Sequence, residues 1–140
     1  MINFNYEFDY KLVDEELYSD WLSNVIISES KTEGELNYIF CDDYYLLKLN
    51  NKYLSHDTLT DIISFDYSIG NKLQGDIFIS VERVQENASD FKVSFDDELK
   101  RVLIHGLLHL CGYKDKSEQD EIIMRQKEDE KMKMFHVKQN

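Results

Sequence analysis

The alternation of apolar and polar residues along the chain predicts strands interleaved with helices. Residues 2–8 (INFNYEF) and 35–42 (ELNYIFCD) follow the two-residue period of a strand. Two further strands, residues 61–68 (DIISFDYS) and 75–81 (GDIFISV), are expected to be joined by a turn around residues 70–71. We therefore expect a sheet of about four strands.

Five segments carry the periodicity of a helix, and side-chain caps and glycines must set their ends because the chain has no proline. The expected helices are residues 14–29, 42–54, 82–90, 95–111 and 117–134. The apolar face of the first helix is expected to comprise Leu17, Trp21, Leu22 and Val25. Together the elements predict an α+β fold, with a small mixed sheet of about four strands and about five helices in one domain over residues 1–140.

Serine caps mark the start of the last two helices. Ser94 precedes Asp97 by three residues, and Ser117 precedes Asp120 in the same way, which is close to a capping box. Gly112 is expected to end the helix that Ser94 begins, because glycine tolerates the backbone conformation of a C′ residue. The apolar positions of that central helix include Leu99, Val102, Leu103, Leu107, Leu108 and Leu110.

The net charge of the chain limits the kinds of molecule that its surface can bind. The chain has 140 residues, of which 42% are hydrophobic, and a net charge of −12, which argues against affinity of the whole surface for nucleic acid or anionic membrane. The charge is uneven, since residues 1–80 hold 5 basic and 15 acidic residues while 81–140 hold 11 and 13. A polyanion would therefore contact the second half, unless the asymmetry only forms a solvated acidic face.

The two cysteines and the lack of a long apolar segment indicate the cellular compartment. Cys41 and Cys111 lie far apart in apolar surroundings and indicate core thiols in a reducing compartment rather than a disulfide scaffold. The first residues are too polar for a signal peptide, and no stretch of 18 apolar residues occurs. We expect a cytoplasmic protein without a membrane partner.

The segment HGLLHLCGYKD, residues 105–115, carries the candidate chemistry. His105 and His109 are one turn apart on the central helix and face the same side, so both rings can reach one ion. Gly112 allows the chain to turn back, which places Asp115 to offer an oxygen. Three protein ligands with one water are the pattern of a catalytic zinc site, in which the bound water is acidified towards neutrality.

Two other interpretations of this segment remain open. Paired histidines one turn apart also occur in partly buried helices, where each ring simply has a hydrogen-bond partner. The spacing H-x-x-x-H-x-x-G-x-x-D further resembles the metzincin metalloproteases, which carry a glutamate general base directly after the first histidine. Gly106 occupies that position here, so a peptidase would lack its proton shuttle.

Three segments together resemble the YbeY family of bacterial endoribonucleases, known as rRNA maturation factors. HGLLHLCGYKD resembles the family's H-G-x-L-H-L-x-G-Y-D-H signature. Residues 49–65 (LNNKYLSHDTLTDIISF) and 75–80 (GDIFIS) resemble two further family segments, in the same order and spacing. The resemblance covers about residues 36–130 and implies an α+β domain with one zinc ion at the end of a central helix.

The resemblance also implies function and partners. It implies a zinc-dependent endoribonuclease that cuts single-stranded RNA in 3′-end maturation of small-subunit ribosomal RNA and in ribosome quality control. The expected partners are ribosomal RNA and the small ribosomal subunit, with a ribosomal protein or a GTPase as further candidates. The family ligands map to His105 and His109, and the zinc-bound water would act in catalysis beside the cleft candidates Thr60, Asp61 and Ser64.

This chain departs from the family pattern at two positions. The third family ligand is histidine, whereas Asp115 stands here; its negative charge would lower the Lewis acidity of the ion. The family arginine, suited to bidentate pairing with a phosphate, falls on Leu54. The cations that could replace that arginine are Lys52, Lys72, Arg83 and Arg101.

The remaining candidates have ordinary structural explanations. Thr60, Asp61 and Ser64 could equally form a strand edge and cap a turn. His56 could transfer protons but would more often be solvated, His136 is expected to have no role, and Tyr113 is expected to pack beneath the turn. Two rival functions also remain open: a metallohydrolase of another substrate, and a non-enzymatic, zinc-stabilised ribosome assembly factor.

Overall fold

The computed structural model describes residues 1–54 and 59–135, with only the backbone of Leu54 included. Within these residues four strands and five helices follow in the order β1 (Ile2–Tyr6), α1 (Glu15–Ser28), β2 (Thr32–Cys41), α2 (Asp43–Leu54), β3 (Ile62–Asp66), β4 (Lys72–Ser80), α3 (Val81–Phe91), α4 (Phe95–Leu110) and α5 (Glu118–Met132). This confirms the predicted elements. No helix of this described part is long and apolar enough to cross a membrane.

The four strands form one mixed sheet in the order β1-β2-β4-β3. β2 pairs in parallel with both β1 and β4, whereas β3 and β4 form an antiparallel hairpin closed by Gly70, whose φ is 60°. β2 and β4 each begin three residues earlier than predicted. The reason is that they pair with each other beyond a bulge between Glu33 and Leu36, a tertiary contact that alternation within one segment does not reveal.

Each face of the sheet has its own apolar core, because successive side chains of a strand point to opposite sides. The main core joins one face of β2, represented by Tyr38 and Phe40, to side chains of α1 and α4. A second core on the opposite face joins Cys41 to Leu46 of α2 and Ile63 of β3. Helix α2 therefore covers the face that α1 and α4 leave open.

The buried face of α1 contains Tyr18 and Ile26 in addition to three of the predicted residues, and it lacks the fourth, Leu17. Leu17 is only partly buried, whereas its neighbour Tyr18 is 8% exposed and lies in the main core. The Tyr18 ring packs 5.1 Å from the ring of Phe135, near the end of the described chain. That distant contact helps to cover Tyr18, and helical periodicity could not show it.

Helix α4 is the central helix of the fold. All six apolar positions predicted for it are buried, as are Ile104 and Gly106. The Tyr38 hydroxyl of β2 donates a hydrogen bond to the Leu103 carbonyl oxygen at 3.3 Å, which ties the helix to the sheet. A Cβ atom at Gly106 would lie 2.8 Å from Ile62 Cδ1, so the helix lies against β3 and β4 with little spare space.

Helix α5 packs against α4 and reaches back to α1. Ser117 and Asp120 form the complete capping box predicted at its start, whereas at the start of α4 the Ser94 hydroxyl accepts the Asp97 amide hydrogen. The Trp21 indole of α1 donates a hydrogen bond to the Lys131 carbonyl oxygen at 2.9 Å. This contact fixes α5 over the helix that carries the histidines.

We expect Gly75→Ala to destabilise the fold much more than Gly106→Ala. A Cβ atom at Gly75 would collide with the backbone carbonyl oxygen of Phe65 in the paired strand, which cannot move without breaking the hairpin. We expect a loss of about 3 kcal/mol in the free energy of unfolding, measured in urea through Trp21 fluorescence.

Gly106→Ala is the matched control. The nearest atom there is the mobile end of Ile62, and alanine has a higher helix propensity than glycine, so we expect a change of about 1 kcal/mol or less. An equal loss of unfolding free energy in the two variants would contradict this explanation, in which a collision with backbone costs more than a collision with a mobile side chain.

Candidate metal centre

Helix α4 and the turn after it bring the three predicted ligands together. The Nε2 atoms of His105 and His109 lie 3.0 Å apart, and the Oδ2 atom of Asp115 lies 3.3 Å from each of them. Gly112 adopts a φ of 107°, a conformation that favours glycine, and this turn directs Asp115 back towards the helix. The predicted role of Gly112 is thus confirmed.

The second nitrogen of each imidazole ring is already held. His109 Nδ1 lies 2.9 Å from the Tyr113 carbonyl oxygen, which can only accept, so this nitrogen carries the hydrogen. His105 Nδ1 lies 2.7 Å from the Glu128 carboxylate and donates to it in the same way. In the neutral rings both Nε2 lone pairs therefore point into the space they share with Asp115.

This arrangement fits a divalent cation. Three electron-pair donors within 3.3 Å repel one another unless a positive charge lies between them. In tetrahedral zinc coordination, with bonds of about 2.0–2.1 Å, neighbouring ligand atoms lie roughly 3.3 Å apart, close to the distances found here. The Asp115 side chain is 42% exposed, so the cluster is open to solvent on one side.

Glu128 of α5 holds His105 in this orientation. Its side chain is only 7% exposed and also accepts a hydrogen bond from Arg101 Nη1 at 2.9 Å. Burial raises the pKa of Glu128, but its contacts with His105 and Arg101 outweigh burial and lower it. Burial likewise lowers the pKa of His105, and the Glu128 contact more than reverses this effect.

A second buried ion pair supports the turn that carries Asp115. The Tyr113 hydroxyl donates a hydrogen bond to Glu29 at 2.6 Å, and Lys131 Nζ lies 2.9 Å from the same carboxylate. Although burial opposes the ionised form, the hydrogen bonds from Lys131, Tyr113 and Lys127 lower the pKa of Glu29 to about 2. Tyr113 thus packs beneath the turn, as predicted.

A groove of about 400 Å³ extends from the metal cluster along α4 and α5. Its lining includes His105 and Asp115, and of the three predicted cleft residues it includes Asp61. The Thr60 hydroxyl instead donates a hydrogen bond to the Ile62 carbonyl oxygen at 3.3 Å, the strand-edge role that the sequence also allowed. Ser64 pairs with Ile77 within the hairpin and does not line the groove.

Comparisons with known proteins decide the family. The family model described as Endoribonuclease YbeY matches residues 3–136. The chain belongs to the YbeY endoribonuclease family. It is 67% identical over 140 residues to the Endoribonuclease YbeY of Flavobacterium psychrophilum, covering 100% of both chains, and 47% identical over 116 residues to that of Bacteroides thetaiotaomicron, covering 83% of this chain and 85% of the relative.

A solved structure shows the same fold. The solution structure of a Thermotoga maritima protein matches this chain with a TM-score of 0.72 and 26% sequence identity. The match covers 96% of this chain and 89% of the Thermotoga protein. The α+β fold with a small mixed sheet is therefore shared across distant sequences.

The cations proposed to replace the YbeY-family arginine occupy different places. Arg101 lines the groove, whereas Arg83 is paired with Asp43 at 2.9 Å and Lys52 lies over the Tyr53 ring at 5.2 Å. Lys72 is exposed at the start of β4. Arg101 is thus the one of the four that lies beside the metal cluster. His56, His136 and the Leu54 side chain lie outside the described residues.

Sequence reasoning missed the groove residues on α5, which include Arg125 and Glu128. Arg125 is an exposed cation and its position carried no signal. Glu128 could have been found, because it follows Met124 by four residues on the buried face of a mostly polar helix. A carboxylate on such a face requires a partner, and the nearby histidines are natural candidates.

We expect Glu128→Gln to weaken zinc binding roughly 10- to 100-fold, because the neutral amide holds the His105 ring less firmly. The measurement is a competition titration against a chromophoric chelator. Asp129→Asn, which changes the exposed second partner of Arg101, is the matched control and should change the affinity by less than about threefold. Unchanged zinc affinity in a folded Glu128→Gln protein would argue against this supporting role.

We expect Glu29→Gln to remove part of the acid sensitivity of the fold. Because the pKa of Glu29 is lowered to about 2 in the folded chain from a usual 4.5, its stabilisation is present above pH 4.5 and is lost as the pH falls towards 2. The full effect is on the order of 3 kcal/mol. Unfolding in urea across this pH range should show a flatter profile for the variant.

Glu86→Gln removes an exposed carboxylate of α3 by the same chemical change. We expect this control to keep the profile of the parent protein. A parallel pH profile for Glu29→Gln and the parent would contradict the role of the buried pair.

Proposed function

We propose that this protein is a zinc-dependent endoribonuclease that cuts single-stranded RNA. Its proposed biological role is 3′-end maturation of small-subunit ribosomal RNA and ribosome quality control in the cytoplasm. The observation that carries the proposal is the convergence of His105, His109 and Asp115 at one end of an open groove. Membership in the YbeY endoribonuclease family supports a metal-dependent nuclease.

The groove supplies the groups that an RNA backbone requires. Arg101 and Arg125 line it next to the metal cluster, and guanidinium groups pair with phosphate oxygens in a fixed planar geometry. Arg125 is the freer of the two, since its side chain is 62% exposed and its nearest carboxylate contact is at 3.8 Å. We propose that Arg125 binds the incoming phosphate while Arg101 keeps Glu128 in place.

The chemistry of hydrolysis depends on the same cluster. A divalent ion held there lowers the pKa of a coordinated water and polarises a phosphoryl oxygen. The protein contributes orientation: Glu128 holds His105, the Tyr113 carbonyl oxygen holds His109, and the turn at Gly112 positions Asp115. Because Asp115 is negatively charged, the ion would be a weaker Lewis acid than with a neutral histidine as the third ligand.

The position after the first histidine separates this protein from a peptidase. Gly106 lies against Ile62 and Ile77 with no room for a longer side chain, so helix α4 carries no glutamate directly after the first histidine. Ribosomal RNA within the small subunit is the proposed substrate, with a ribosomal protein or a GTPase as the proposed guide. Both partners rest on the family resemblance.

A non-enzymatic role in ribosome assembly is the second candidate. It is favoured by the pairing of Arg101, because its two terminal nitrogens already donate to Glu128 and Asp129 at 2.9 and 2.8 Å, which leaves fewer donors for phosphate. In this case zinc would stabilise the fold, and RNA binding would occur without cleavage.

The test compares zinc-loaded protein, metal-free protein and the double variant His105→Ala, His109→Ala. Each is incubated with labelled single-stranded RNA, double-stranded RNA and casein at several salt concentrations, since phosphate contacts depend on salt. We expect only the zinc-loaded protein to cut, and only single-stranded RNA, with a loss of at least about 100-fold in the other two.

His136→Ala is the matched control for removing a histidine and should retain both zinc and cleavage. Cleavage of casein, or full zinc content and full activity in the double variant, would refute the proposed activity. Binding of small ribosomal subunits without any RNA cleavage would favour the assembly role.

A further inference from the structure

Glu98 is a buried side chain without a partner among the described residues, and it faces the groove next to the metal cluster. It lies on α4, is 6% exposed and lines the groove. No described residue forms a hydrogen bond or an ion pair with this carboxylate. Among its electrostatic neighbours, Asp61 and Glu128 disfavour its charge, whereas Arg101 and Arg125 favour it. The carboxylate oxygens reach the groove, so they are available to accept hydrogen bonds from a ligand there.

The groove around Glu98 is lined mostly by charged side chains, with a small apolar surface among them. Val102 and Met124, which are 4% and 2% exposed, line it together with Ile62. Its volume of about 400 Å³ lies within the roughly 300–1,000 Å³ of typical small-ligand sites. These three apolar side chains lie in the same groove as the Glu98 carboxylate, and a planar heterocycle such as a nucleobase could contact both.

The position of Glu98 along the helix separates it from the metal ligands. It precedes His105 by seven residues, which is two turns on the same face and roughly 10 Å along the axis. A group bound to Glu98 therefore cannot be the phosphate at the metal cluster. The base of a neighbouring nucleotide can reach it, and Arg125 in the same groove is available to the backbone.

We propose that Glu98 forms a guanine-recognition subsite, which makes it a specificity-determining residue of the proposed ribonuclease. The inference rests on the proposed function. Guanine presents two adjacent N–H donors on its Watson–Crick edge, which match the two oxygens of one carboxylate. Adenine and cytosine each offer one amino group beside an acceptor, and uracil offers one imino group between two acceptors, so none of them satisfies both oxygens.

The test uses the full-length, zinc-loaded protein and two fluorescein-labelled oligouridine RNAs. One RNA carries a single internal guanosine, and the other carries inosine there, which lacks the exocyclic amino group and changes little else. Binding is measured by fluorescence anisotropy at low temperature, and cut positions are mapped on gels. We expect the parent protein to bind the guanosine RNA about tenfold more tightly and to cut at a fixed distance from the guanosine.

Glu98→Gln keeps the size of the side chain but leaves one acceptor, so the preference should fall to about twofold or less. Glu121→Gln, which removes an exposed carboxylate from the same groove, is the matched control. It should change the affinity for both RNAs alike and keep the tenfold ratio. Thermal unfolding and zinc content verify that both variants are folded and loaded.

The outcomes separate the two proposals. Equal binding of the two RNAs by the parent protein, or an unchanged ratio in Glu98→Gln, overturns the guanine subsite while RNA cleavage still supports the ribonuclease. A protein that neither binds nor cuts either RNA overturns both. A lost ratio in Glu98→Gln with a preserved ratio in Glu121→Gln supports the subsite.

Discussion

The Glu128 carboxylate lies buried between α4 and α5, and both the helix packing and the histidine geometry depend on it. Helix α5 buries few side chains, namely Met124, Glu128 and Lys131. Glu128 is paired with His105 and Arg101 of α4. Lys131 is paired with Glu29, which follows α1. Since a buried charge without its partner is strongly unfavourable, α5 can pack in essentially one register.

This arrangement couples stability to chemistry. The same ion pairs that seat α5 also orient His105 through Glu128 and support the Tyr113 turn through Glu29. Hydrogen bonds at Nδ1 therefore fix the orientation of both imidazole rings without a metal ion. The side chains then lose little conformational freedom when an ion binds. Helix α5 contributes no metal ligand, yet the ligand geometry rests on it.

Two arginines lie beside the metal cluster although both the chain and the groove are acidic. The chain carries −12 overall, and five carboxylates line the groove together with Arg101 and Arg125. The prediction that any polyanion contact would use the second half of the chain agrees with where these arginines lie, although RNA binding itself stays a proposal. An acidic exterior would also limit non-specific contact with other nucleic acids.

The features that were predicted correctly from the sequence are those determined by residues within one continuous segment. The helix through His105 and His109, its end at Gly112 and the serine caps are local, and the structure has them at the expected residues. The features that sequence missed arise between segments. Glu128 lies 23 residues from His105, and the buried face of α1 depends on Phe135, more than a hundred residues away.

The closeness of α4 to the sheet at Gly106 restricts how the family could change. Because Ile62 and Ile77 occupy the space beside this glycine, a single substitution to glutamate would force the helix away from the strands. Conversion of this site into the related peptidase arrangement would require simultaneous changes in α4, β3 and β4. The packing around Gly106 thus prevents this fold from acquiring the peptidase glutamate by a single substitution, although the spacing of its metal ligands is nearly that of the peptidases.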